Sequence, residues 1–570
     1  EETPDTRVRE TSYDVFGRVR LRKLNLQLME KFEYEDNLRR PNTTNMYLTA
    51  VKRYTYVSGD VDSLRLAREI TYRDGQGRII LKSLRSERTN NEYRVISFSQ
   101  REDRNDNIRY EYEPRFVANA SFVEGSGLYT ARTYDTLGRM VEELPPVGDA
   151  NSPTGARHIS YGYQNNPWIT TYTDEMGKVK RERRNARRQL VELTEVVGGN
   201  NIITRYGYDF WNHRTSITDS GNQRSRVVFD NLGRKTSESN MDLGNWTFTY
   251  DDAGNPLTQT DARGVTTTFT NYDELNRPHT KITSGPNVTT ENITYNYDTP
   301  IGTNNVRKGE LSGIVDVNGK TKFSYNDAGG VEKTERTIDN LSGVATTEYL
   351  RDRDGRVQEM KYPGGRVHIK YDYDRAGGVK KVTRINPPRT SITGAGGNVE
   401  LYRIDSDTAY DAKGHLLQAI YGNGVNESYG YYPNSKRLHE IRDTNATGTI
   451  RQNSYNYNAV GNATSINDDL NTSADVNNAS LTNIQYDDLH RVTNYDYYQG
   501  AAASGRTRET YQYDNFGNLT RNTESFVTAA YNYTNTNHAH AVSSVGTDSF
   551  GYDANGNMTS GRGRRLNYGA

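Results

Sequence analysis

Between Tyr250 and Tyr272 the chain reads YDDAGNPLTQTDARGVTTTFTNY, two turn signals set between short runs rich in Thr. Asp251-Asp252-Ala253-Gly254 and Asp261-Ala262-Arg263-Gly264 each open on Asp and close on Gly. An Asp in first place of a turn can accept a bond from a backbone N–H two residues on, and a Gly in fourth place tolerates positive φ. Asn255 to Thr260 and Val265 to Thr270 are runs of about six residues with the composition of strands. One such stretch therefore spells two strands and two turns.

The same spelling recurs outward in both directions. Clear copies are Tyr13, Asp14, Gly17 and Arg18 (YDVFGR); Tyr134, Asp135, Gly138 and Arg139 (YDTLGR); and Phe229, Asp230, Gly233 and Arg234 (FDNLGR). Further copies follow Tyr250, Asp251 and Gly254: Tyr272 and Asp273 (YDELNR); Tyr373, Asp374 and Gly377 (YDRAGG); and Tyr410, Asp411 and Gly414 (YDAKGH). Tyr513, Asp514 and Gly517 (YDNFGN) and Tyr552, Asp553 and Gly556 (YDANGN) close the series, with variants at Tyr325, Tyr457 and Tyr486. From Tyr208 through Phe229 and Tyr250 to Tyr272 the steps are 21, 21 and 22 residues. So regular a period marks a repeat architecture.

Composition agrees with a repeat and excludes several classes. At 570 residues the chain exceeds what one compact core organises, yet only 33% of it is hydrophobic, too little for an oily Leu-packed interior. The 43 Tyr, against 13 Phe and 3 Trp, point to large rings that keep a polar tip. Disorder is disfavoured, since 72 basic residues cancel 72 acidic ones and aromatics are plentiful. Net charge zero offers no general attraction to nucleic acid or anionic membranes, and no run approaches the ~20 apolar residues of a membrane span. With no Cys, neither disulfides nor thiolate metal sites are in play, and no signal segment gives a compartment.

Strand and turn alternate about every ten residues with no long helical period, which predicts an all-β fold of antiparallel strand-turn-strand repeats, nearly free of helix. One hairpin cannot bury its face, so neighbours must stack into a growing sheet. Twist forbids some forty strands from staying flat, and a spiral ribbon is expected, with the phased tyrosines as its core, stacked ring on ring.

These units resemble the YD repeats of the bacterial Rhs family, including Rhs polymorphic toxins and toxin-complex shell proteins, whose motif is Tyr-Asp-x-x-Gly-Arg-Leu followed by a second Asp-x-x-Gly. The likeness runs from about Tyr13 to the last residue and is closest at Tyr134, Phe229 and Tyr250. It implies a hollow β shell wound from the ribbon, a structural scaffold that encloses or presents a C-terminal toxin or effector not included in this chain. It also implies that effector domain, or a partner shell protein, as the partner, and a secreted or cell-surface location. The chain departs from the family in lacking the Asp-Pro-x-Gly segment with self-cleaving aspartates, so no residue inherits that role. Residues 1–133 are expected to be a divergent or degenerate repeat region, and 134–570 a regular array broken off in mid-repeat. An extracellular adhesion or surface-recognition module of teneurin type, or a carbohydrate-binding surface protein with a glycan or cell-surface receptor as partner, is the alternative reading.

Other features have plainer explanations. The basic run from Lys178 to Arg188 could meet phosphates, but Arg184 to Val191 aligns with the repeat as a degenerate unit flanked by Glu192 and Glu195. Asp135, Asp251, Asp273 and Asp514 could pair as acid and base, but a residue needed at every turn is there for backbone hydrogen bonds. His538 and His540 have no metal-site spacing, and Gly394, Gly396 and Gly397 precede no helix. No enzymatic activity, cofactor, metal or nucleic acid is expected. Stretches around Pro145 to Pro153, Pro387 to Gly397, Asn471 to Leu481 and Ala501 to Gly505 read as loops between units.

Overall fold

The computed structural model describes residues 9–24, 27–39, 47–56, 66–74, 76–85, 92–101, 107–118, 127–162, 168–221, 224–352, 355–365, 367–373, 378–385, 397–404, 409–470, 479–499, 507–523 and 530–569. Among these residues the chain forms 46 β-strands and a single 3-10 turn at Pro363–Gly365, with no α-helix. Asp374 and Gly377, the loop at 387–396, the segment 471–478 and the loop at 501–505 lie outside the described residues. Ala479 to Leu481, read above as the end of a loop, instead begin the strand Ala479–Tyr486.

Strands pair antiparallel with their neighbours in sequence. Gly244–Tyr250 pairs with Pro256–Thr260, which pairs with Thr266–Tyr272, which pairs with Pro278–Ser284. The first of these ladders runs Thr247 to Thr260, Phe248 to Gln259 and Thr249 to Thr258, then shifts so that Tyr250 faces Pro256. The same shift falls at Tyr13, Tyr208, Phe229, Tyr373, Tyr513 and Tyr552. A three-residue hairpin loop built on a type I turn requires an extra residue in the left-handed region, and the bulge it makes bends and twists the strand. The motif is therefore a bulge signal as much as a turn signal.

The chain divides into two compact units. The first comprises Glu1–Arg139, Glu143–Pro146 and Asn296–Gln452; the second comprises Met140–Glu142, Val147–Tyr295 and Asn453–Ala570. In the first, Ala50, Ile70, Tyr72, Leu81 and Phe98 form a buried cluster with Ile80, Tyr112 and Val117 against it. Here the pairing branches, since Glu92–Arg101 is bonded both to Ile108–Tyr112 and to Arg115–Ala118. In the second, Ile159, Val265, Ile484 and Val545 are buried, and strands such as Gly244–Tyr250 alternate half-buried and exposed positions. Cross-strand hydroxyl pairs add to its ladders: Thr249 to Thr258 at 2.6 Å, Thr260 to Thr266 at 2.9 Å and Thr267 to Thr283 at 3.2 Å.

The phased tyrosines are not the buried core expected of them. Tyr250, Tyr272 and Tyr513 are half-buried, and Tyr13 is 59% exposed. The hydroxyls of Tyr250, Tyr272 and Tyr513 find partners in the preceding unit.

Candidate functional site

Asp230 shows what the motif builds. Its N–H donates to the Arg234 carbonyl at 2.9 Å, and its own carbonyl accepts from Gly233 at 3.0 Å, which closes the turn. One carboxylate oxygen, Oδ1, accepts from the N–H groups of Leu232 and Arg234, both at 2.9 Å. The other, Oδ2, accepts from Arg234 Nε at 2.7 Å. The pattern repeats at Asp14, Asp135 and Asp273 with their arginines. His415 replaces the arginine opposite Asp411, and Asn255, Asn518 and Asn557 replace it opposite Asp251, Asp514 and Asp553. At Gly254 φ is +92°, a left-handed value that costs most residues energy, and Gly17, Gly138, Gly233, Gly414, Gly517 and Gly556 are also left-handed.

These bonds explain the electrostatics. The Arg234 N–H, working against the cost of partial desolvation and helped by its guanidinium, holds Asp230 below the ordinary carboxylate range; the Arg277 N–H does the same for Asp273. For Asp251 the Asn255 side chain is the leading cause. Carboxylates held ionised by fixed donors are poorly suited to general acid chemistry.

The tyrosine reaches back to the turn before. Tyr250 OH donates to the Lys235 carbonyl at 2.8 Å, and Lys235 directly follows Arg234. Likewise Tyr34 OH donates to Val19, Tyr161 to Met140, Tyr373 to Val357, Tyr431 to Leu416 and Tyr513 to Val492. Each acceptor follows the last residue of the preceding turn, beside the bulge. The rings do not form the ring-on-ring column expected from the sequence, because the preceding turn's cation covers them. Arg18 lies 4.1 Å from the Tyr34 ring centroid, Arg234 5.0 Å from Tyr250, Arg356 4.7 Å from Tyr373 and Arg491 4.4 Å from Tyr513. His415 stacks on Tyr431 at 4.6 Å in the same way.

Within the second unit, turns far apart in sequence also meet edge to edge. Lys178 Nζ lies 2.5 Å from Asp488 Oδ1, and Asp488 Oδ2 accepts from the Gly198 N–H at 2.7 Å. His490 Nε2 is 2.7 Å from Asp174 Oδ2, and Ser220 donates to the Asn515 carbonyl at 3.3 Å. His538 Nδ1 donates to the Asp242 carbonyl, while His540 meets the Asp242 carboxylate through its N–H and Nδ1. Asn555 accepts from the Ala262 N–H at 2.9 Å and donates to Asp261 at 2.7 Å. From Ser220 to Ala262 the partners are separated by 293 to 298 residues. A nearly constant offset means that two stretches of ribbon run side by side in the same direction. In the first unit Lys413 meets Glu113 at 2.7 Å, making one contact of similar span.

Sequence reading missed some turns and all of this seam. Asp352 to Arg356 forms the same clamp behind Arg351 rather than a tyrosine; after Tyr208, already counted in the period, Asp209 to His213 forms it with Asn212 in the glycine's place. Asp-x-x-Gly spacing without its Tyr was the available signal for the first. The basic run is engaged in place: Lys178 on Asp488, Arg184 on Glu182, Arg183 on Glu192, and Arg187 over Phe210 at 4.8 Å. Among the described residues no group of three or more His, Cys, Asp or Glu could hold a metal ion, and no helix is long and apolar enough to cross a membrane.

The architecture is thus an all-β antiparallel repeat protein, and residues 250–286 match the RHS repeat family. Its fold is that of toxin-complex proteins. The crystal structure of TcdB2-TccC3-TEV matches with a TM-score of 0.78 at 15% identity, over 99% of this chain and 36% of that one. TcdB2-TccC3 without its hypervariable C-terminal region matches with the same TM-score, identity and coverage. The Tc holotoxin pore of Photorhabdus luminescens matches with a TM-score of 0.73 at 16% identity, over 92% of this chain and 29% of that one. The chain therefore spans about a third of the length of the structures it matches. Comparison with curated protein sequences gave no match.

Proposed function

We propose that this chain is a length of wall in a toxin-complex-like shell, a scaffold whose task is to enclose an effector carried C-terminal to the repeats. The observation that carries this reading is the fold match to TcdB2-TccC3 over 99% of the chain. The motif chemistry supports it. Polar groups that could have formed a reactive site are spent on the ribbon itself, as Asp230, Arg234 and Tyr250 are. The mechanism is mechanical: turn clamps fix each hairpin, tyrosines bind it to the last, and edge contacts hold one stretch of ribbon against another.

Secretion or surface display, and a partner among other toxin-complex components, belong to the same reading. The test is limited proteolysis of the natural full-length protein. The effector segment is expected to survive protease while the protein is folded and to be digested once the shell is opened with denaturant. An effector digested equally fast in both states would overturn the container reading.

A further inference from the structure

One row across the second unit's sheet carries a charge pattern that the repeat does not require. Residues directly opposite in a ladder share a face, and Arg183, Glu192, Arg205, Thr218 and Arg224 stand opposite one another in turn across five neighbouring strands. Arg226, two residues beyond Arg224, is on that face too. Of the described residues in these five strands, Glu192 is the one acidic residue there, since Glu182 and Glu195 fall at alternate positions on the opposite face. The basic run of the sequence ends at Arg188, so Arg205, Arg224 and Arg226 join it through the ladder alone.

The first interval of the row shows what it binds. The Glu192 carboxylate lies between Arg183 and Arg205, with Oε2 at 3.2 Å from a nitrogen of each. The second interval has the same width, two strands or about 10 Å. There Thr218 stands where Glu192 stands in the first. Ser216 and Ser239 flank Arg226 in the same way. Arg224 and Arg226 are exposed, and among the described residues neither has a hydrogen bond or an ion pair. Arg205, its side chain 56% exposed, shares Glu192 with Arg183. Three guanidiniums thus stand among hydroxyls in a chain whose net charge is zero.

We propose that the face from Arg205 to Arg226 docks an extended acidic polypeptide segment whose carboxylates alternate along its length. One carboxylate sits between Arg205 and Arg224 over Thr218, as Glu192 sits between Arg183 and Arg205, and the next meets Arg226. The carboxylate is the anion this row already holds, and the planar guanidinium fork suits it. The spacing selects polypeptide among polyanions: Arg224 and Arg226 lie about 7 Å apart along their strand, the separation of side chains i and i+2 in an extended peptide. This docking surface uses a sheet face and no turn edge, and it does not rest on the container reading.

The probe is a fluorescein-labelled octapeptide of alternating Glu and Thr, titrated with the full chain at low ionic strength and followed by fluorescence anisotropy. Arg224→Gln is expected to weaken binding at least about fivefold. Thr218→Glu, which supplies the carboxylate from the chain itself, should weaken it as much. Arg565→Gln makes the same charge change at an exposed position outside the row and should leave the affinity unchanged. A peptide held equally well after Arg224→Gln, or released as much by Arg565→Gln, would overturn the assignment. So would a heparin fragment or an oligothymidylate whose binding depends on Arg224 and Thr218 while the peptide's does not, because the occupant would then be a different polyanion.

Discussion

The phenolic oxygen of Tyr250 lies 2.8 Å from the carbonyl oxygen of Lys235, the residue just after the turn of the preceding unit. Tyr250 itself starts the next turn, so each unit is fastened to its predecessor by the residue that begins its own clamp. Arg234 completes the join: it holds Asp230, lies over the Tyr250 ring and donates to the Asp251 carbonyl at 2.7 Å. A repeat made this way transmits order from neighbour to neighbour, as expected when stability is a sum of unit and interface terms.

Tyr250→Phe keeps the ring over which Arg234 lies and deletes the bond to Lys235. The expected cost is about 1 kcal/mol, felt locally as faster amide exchange in Lys235–Asn240 and Gly244–Tyr250. Phe229 offers the reverse experiment, since its ring already stacks on His213 at 4.7 Å without a hydroxyl. Phe229→Tyr should slow exchange around Arg214, the residue after His213, by supplying the missing donor. No change in either variant would show that the hydroxyl bond is incidental.

At Asp230 the two obvious substitutions should separate. Asp230→Ala removes the acceptor for Leu232, Arg234 and the guanidinium together, and should loosen the hairpin most. Asp230→Asn keeps an oxygen in the Oδ1 place, as Asn326 and Asn458 do in their own turns, and should cost less. Hydrogen exchange across Arg224–Phe229 and Lys235–Asn240 ranks them. Equal effects would mean that the charge, and not the backbone acceptor, does the holding.

Gly254 isolates backbone conformation, because a Cβ there would meet nothing within 4 Å while φ is +92°. Asn occupies the corresponding left-handed place at Asn212 and Asn276, with φ of +79° and +59°. Gly254→Asn should therefore be nearly neutral, and Gly254→Val should cost about 1–2 kcal/mol or more. Thermal unfolding of the two variants side by side makes the comparison, and a Val variant as stable as the Asn variant would refute the strain account.

What the sequence made legible was whatever the repeat states within one unit: strand lengths, turn residues and the all-β class. Asp251 and Gly254 could be read because each acts within a few residues of itself. Two things could not. The arginine's hold on the next tyrosine ring is a relation between units, and Asp-Gly spacing says nothing of it. The seam joins residues nearly 300 apart, such as Asp261 and Asn555, through turn edges whose local sequence already has a sufficient purpose. The buried cluster of Ile70, Leu81 and Phe98 escaped because its strands lack the Tyr-Asp pair on which the period was counted.

Acid should unmake the array in a defined direction. Asp230 and Asp273, held down chiefly by the backbone N–H groups of Arg234 and Arg277, ionise at lower pH in the folded chain than in the unfolded one. Asp488 is held down in the seam, first by Lys178 and then by the Gly198 N–H. The unfolded chain consequently binds more protons in acid. The stability these groups contribute is fully present above the ordinary Asp value, about 3.9, and drains away as pH falls through their depressed folded values. Since turn after turn carries the same sign, the losses accumulate. A series of urea unfolding midpoints from pH 7 downward should show no loss from these groups until about pH 4 and then fall steeply. Asp230→Asn should flatten the decline in its own hairpin, read by exchange, because the amide has no proton to gain in this range. A midpoint unmoved at pH 2 would mean that the clamps hold as well protonated as charged, contrary to the geometry of Asp230 and Arg234.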